Sequence, residues 1–164
     1  KRGDVPILCP GDKDSKAYSG LSLFNPDMPE HGVQVIPDLG SIWEDDKGKV
    51  RALGMKQYGL QQLIGDGTDG FKPTDLCGVK FGEKSALKLL EPCKTEKEVL
   101  EVVVQQYQKW YPTPFEYTSW NGAKIESDWK HMLNLYHACC RMKETKDDPL
   151  IAYDFYKRYG VTLV

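Results

Sequence analysis

Residues Thr95–Met142 read TEKEVLEVVVQQYQKWYPTPFEYTSWNGAKIESDWKHMLNLYHACCRM, and this stretch decides the fold class. Thr95 suits a helix N-cap and Glu98, three residues on, completes a capping box. Val99, Leu100, Val103, Val104, Tyr107, Trp110 and Tyr111 then recur with helical period, and Pro112 and Pro114 stop the helix. Asn121-Gly122 marks a hairpin turn, with Tyr117, Ser119 and Trp120 before it and Lys124 and Ile125 after it. Ser127 is placed to cap a second helix, whose apolar stripe is Trp129, Met132, Leu133, Tyr136 and Cys140. The unit predicted is helix–hairpin–helix, with the rest of the chain packed around it.

Outward from this unit the signals are shorter. Met55–Ile64 predicts a short helix burying Leu60, Leu63 and Ile64, weakened at Gly59 by about 1 kcal/mol relative to Ala. Ser41–Leu53 predicts a hairpin turning near Gly48, and Val33–Leu39 a strand ended by Pro37. Asp75–Phe81 predicts a short strand, and the stretch from Gly82 to Pro92 a brief helix. Asp148 as N-cap, Pro149 at the first helical position and Gly160 beyond the end predict a last helix, with a terminal strand over 161–164. Residues 1–32 are loop-rich and read as an arm. The expected class is α+β: short antiparallel hairpins packed against three to four amphipathic helices, in one domain over residues 1–164.

The 164 residues suit one domain. With 22 basic and 24 acidic residues the net charge is −2, which does not favour a broad nucleic-acid or anionic-lipid footprint but leaves room for a local patch. No apolar run approaches the 20 or so residues of a membrane span, so the expectation is a soluble chain. Five cysteines, odd in number and irregular in spacing, point to a reducing, intracellular compartment. The start at Lys-Arg-Gly-Asp, without Met, reads as a segment excised or processed from a longer protein.

Several residue sets carry candidate chemistry. His31, Asp38, Asp45, Asp46 and Lys47 are the types that metal-dependent nucleases use, two acids holding a divalent cation and a lysine near the phosphate. Asp38 and Asp45 are only seven positions apart, and Lys47 falls in an expected turn, so the pattern fits poorly. Asp66 and Asp69 lie in a glycine-rich loop but fail the EF-hand spacing. Cys93 precedes a helix N-terminus, a setting that activates thiols, with His131 or His137 as the base of a cysteine hydrolase. His131 and His137 do not make a joint zinc site, because on one helix they point about 120° apart. Lys130, Asn134, His137 and Arg141 share one helix face at i, i+4, i+7 and i+11. Phe115, Tyr117 and Trp120 alternate along a hairpin too short to bury both of its faces. The leading expectation is a cofactor-free module that binds a protein through this aromatic edge and the neighbouring basic face. A phosphate-acting hydrolase and a cysteine hydrolase are the alternatives.

Overall fold

A computed structural model describes residues 7–9, 13–26, 29–68, 70–141, 143 and 145–164. Parts of the expected N-terminal arm, together with Asp69 and Met142, lie outside the described residues. In chain order the strands and α-helices are β1 (Ile7–Leu8), β2 (Ser22–Phe24), β3 (Val33–Val35), β4 (Ile42–Glu44), β5 (Val50–Ala52), α1 (Gly54–Ile64), α2 (Glu83–Leu90), α3 (Glu96–Trp110), β6 (Phe115–Thr118), β7 (Lys124–Ser127), α4 (Trp129–Cys140) and α5 (Ala152–Arg158). The class is α+β, with five α-helices among the described residues where three to four were expected. None of them is long and apolar enough to cross a membrane.

The helix that organises the core is α1. Every residue from Gly54 to Leu63 is buried, and α2, α3 and α4 all pack on it. Sequence periodicity hides this, because Lys56, Gln57, Gln61 and Gln62 are buried as well and leave no polar stripe. Partners absorb part of the cost of burying them. Lys56 Nζ donates to the carbonyl of Glu91, at the C-terminal end of α2, at 2.9 Å. Tyr107 Oη, fully buried on α3, donates to Gln62 Oε1 at 3.3 Å. Gly59 sits where α1 meets α2 and α3. A Cβ there would stand 2.7 Å from Val99 Cγ1 and 3.3 Å from Leu90 Cδ2. Gly59→Ala therefore sets a helix-propensity gain of about 1 kcal/mol against overpacking of about 1–3 kcal/mol. The expected outcome in chemical denaturation is a net loss of stability, whereas the same change on an open helix surface is a gain.

The N-terminus of α1 is capped by backbone. The amides of Met55 and Lys56 donate to the carbonyls of Asp38 and Leu39 at 2.9 and 3.1 Å. This satisfies helix-end donors without a capping side chain. It requires residues 37–40 to cross residues 53–54 at backbone contact distance, and Gly40 and Gly54 stand at that crossing.

The predicted capping box on α3 is present in part, its return bond coming from the Lys94 amide rather than from that of the N-cap Thr95. Thr95 Oγ1 accepts from the Glu98 amide at 3.2 Å, and Glu98 Oε2 accepts from the Lys94 amide at 2.6 Å. The β4–β5 hairpin forms as predicted, Ile42 opposite Ala52. Four expectations are corrected. Asp75–Phe81 is a run of turns and extended chain rather than a strand, tied by the Asp75 amide to Lys72 O and the Gly78 amide to Thr74 O. Residues 161–164 form no strand. The last helix begins at Ala152, because Asp148 Oδ1 accepts from the Leu150 amide in a local turn and Leu150 takes φ 53°. Asn134 on α4 supplies the cap instead, its Oδ1 accepting from the Ala152 amide at 2.8 Å. Finally, the loop-rich N-terminal region forms a three-stranded sheet of order β1–β2–β3, parallel between β1 and β2. Such long-range pairings have no local signal to reveal them.

Candidate functional site

The β6–β7 hairpin pairs Phe115 with Ser127 and Thr118 with Lys124. Its inner face carries Phe115, Tyr117 and Ile125, all half-buried. Phe115 stacks on Tyr111 at 4.9 Å between centroids, with 16° between the planes. Two of the three nominated aromatics are thus turned toward the core. Glu116 and Lys124, paired at 2.9 Å, cover the outer face.

The turn geometry accounts for the third. The Gly122 amide donates to Ser119 O at 2.9 Å, so Trp120 and Asn121 are the central turn residues and Gly122 follows at φ 84°. Asn121 keeps a negative φ. This is a turn followed by a left-handed glycine, the three-residue hairpin solution, rather than the two-residue Asn-Gly turn the sequence suggested. Asn121 Oδ1 accepts from Ser119 Oγ at 2.5 Å and from the Ala123 amide at 3.1 Å, stiffening the loop. The consequence is an apex occupied by Trp120 at 98% exposure. No other large apolar side chain described is as exposed.

The expected polar stripe of α4 does not form one surface. Lys130 is exposed, its Nζ 5.6 Å from the centre of the Trp129 ring. Asn134 caps α5 as described above. His137 is 1% exposed and belongs to the inner face. Its Nδ1 shares a 2.7 Å hydrogen bond with Tyr58 Oη, and Tyr58 Oη donates to Tyr156 Oη at 3.4 Å. Burial pushes the His137 pKa down to about 3, with the guanidiniums of Arg141 and Arg158 acting in the same direction and Asp148 opposing them. Arg141 packs its guanidinium 4.1 Å from the ring centre of Phe155 and 5.3 Å from that of Tyr18. Lys130 lies at the base of the hairpin, and a strand of four residues carries the apex roughly 13 Å beyond it.

Three of the nuclease-type residues, Asp45, Asp38 and His31, have structural engagements. Asp45 Oδ1 accepts from the amides of Lys47 and Lys49 at 3.0 and 2.9 Å, and Oδ2 from Arg51 Nε at 2.8 Å. These bonds hold its carboxyl below the usual range, the Lys49 amide first and Arg51 second. Ser19 Oγ donates to Asp38 Oδ1, and His31 approaches Glu30 at 3.8 Å. Among the described residues no three His, Cys, Asp or Glu side chains converge to hold a metal ion. Asp66 Oδ1 accepts from the Thr68 amide within its own loop at 2.7 Å.

Cys93 is 5% exposed, its Sγ 3.5 Å from Leu89 O. Burial raises its pKa, against the helix-end activation expected from sequence. His137 is engaged by Tyr58, and His131 is exposed on α4, its amide donating to Asp128 Oδ1. At neutral pH iodoacetamide is expected to modify the exposed Cys9 and Cys139 and to reach Cys93 only on unfolding, as peptide mapping would show. Fast labelling of Cys93 in the native protein would restore the nucleophile reading.

The connector between α1 and α2, whose sequence fails as a calcium loop and suggests a short strand, presents a further surface. Tyr111 Oη and Tyr136 Oη donate to Pro73 O and Lys72 O at 2.6 and 2.9 Å, tethering its first half. Beyond that tether Leu76 and Val79 are 47% and 40% exposed, and Lys80, Gly82 and Lys84 follow on the surface. The glycine density of residues 65–82 was the available signal. Comparison with known families, characterised proteins and solved structures finds no match, so function is argued from this geometry.

Proposed function

We propose that the chain is a binding module that engages a protein partner through the apex of the β6–β7 hairpin. The observation that carries this reading is Trp120, presented at 98% exposure on a turn closed by backbone and Asn121 hydrogen bonds. Tryptophan is enriched among the residues that dominate interface energies, and a rigid turn limits the ordering cost of binding. Lys124, the charge next to the tip, is paired with Glu116, so the complementary surface is an apolar slot rather than a strongly acidic one. Trp120→Ala is expected to change folding stability by less than about 0.5 kcal/mol, because it touches little. It is expected to weaken binding by at least roughly 2 kcal/mol, about thirtyfold. The test is selection from a displayed peptide library on the wild-type chain, followed by affinity measurement on both chains. Selected peptides that bind Trp120→Ala equally well would refute the placement.

A second reading, contact with a phosphate-bearing ligand such as a nucleic-acid backbone, is favoured by the connector. Gly67 and Gly82 have no positive φ, and a Cβ on either would meet no described atom within 4 Å. Among the described residues nothing calls for glycine at either position, whereas close approach of a ligand to the backbone does. Gly82 also leaves α2 without a side-chain cap, beside Lys80 and Lys84. An uncapped helix N-terminus favours phosphate. Lysines 72 and 84 pair with Asp75 and Glu44, which reduces the local positive charge and places this reading second.

A further inference from the structure

We draw no further inference here: the strongest candidate, the cleft of about 690 Å³ lined by Tyr18, Asp38, Tyr58, Glu96, Arg141 and Lys143 between the N-terminal turn, α1 and the ends of α4 and α5, sets two cations against two carboxylates, and nothing in the structure shows what occupies or covers it.

Discussion

Gly40→Ala is expected to cost on the order of 4 kcal/mol, a large share of the 5–15 kcal/mol that holds an ordinary domain together. Two independent effects add. Gly40 has φ 71°, a conformation that costs an L side chain roughly 1–2 kcal/mol. A Cβ there would also stand 1.8 Å from the carbonyl oxygen of Leu53 and 2.9 Å from the Gly54 nitrogen. The obstacle is backbone, which cannot swing aside like a side chain. Relief must come from separating residues 37–40 from residues 53–54, and that breaks the carbonyl caps on Met55 and Lys56. Gly54→Ala meets the mirror problem, with φ 62° and Pro37 O 2.3 Å from the added carbon. Gly20→Ala is the control, since Gly20 has φ 75° but open space around it, so only the conformational cost remains. Guanidinium denaturation of the three variants separates the effects. If Gly40→Ala falls within 1 kcal/mol of Gly20→Ala, the crossing is looser than described.

The second large effect is a loss of stability in acid, carried by His137. The group titrates near 6.5 in an unfolded chain and near 3 when folded. Between those values the unfolded state binds a proton that the folded state refuses. Its contribution is therefore fully present above pH 6.5 and is lost as the pH falls toward 3. From pH 6.5 to pH 4 the loss is about 3 kcal/mol as an upper bound, at 1.36 kcal/mol per unit. His137→Gln retains a hydrogen-bonding partner for Tyr58 and removes the titration. The wild-type stability curve is expected to fall more steeply than that of the variant over this range. Parallel curves, or the His137 imidazole itself titrating near 6.5 by NMR in the native protein, would contradict the buried neutral histidine.

What the sequence revealed follows from where the determining interactions lie. The Thr95–Glu98 cap and the β4–β5 hairpin are local, and both were legible. The fold class followed from the helix–hairpin–helix pattern over residues 95–142. The centrality of α1 was not legible, since a helix buried on all sides shows no amphipathic stripe and its Gly59 reads as a weakness. In the structure that glycine is what lets Val99 and Leu90 approach. His137 was placed outside because it is polar, although Leu133 and Met132 on the same inner face already pointed to burial. The hairpin was legible but its turn was not. Asn-Gly serves two turn types, and the choice between them puts Trp120 at the apex rather than on the strand. Phe115 and Tyr117 keep their alternation and face inward, so the expected aromatic edge narrows to one residue.

The most direct test of the proposed function is amide-shift mapping by 1H–15N NMR. The labelled chain is titrated in separate samples with a library-selected peptide and with a short DNA duplex. The account predicts that the peptide perturbs Ser119–Lys124 and the Trp120 indole signal, with little change elsewhere. Peptide shifts confined to Gly78–Ser85, or saturable duplex binding there with an unperturbed hairpin, would contradict it and transfer the recognition surface to the connector.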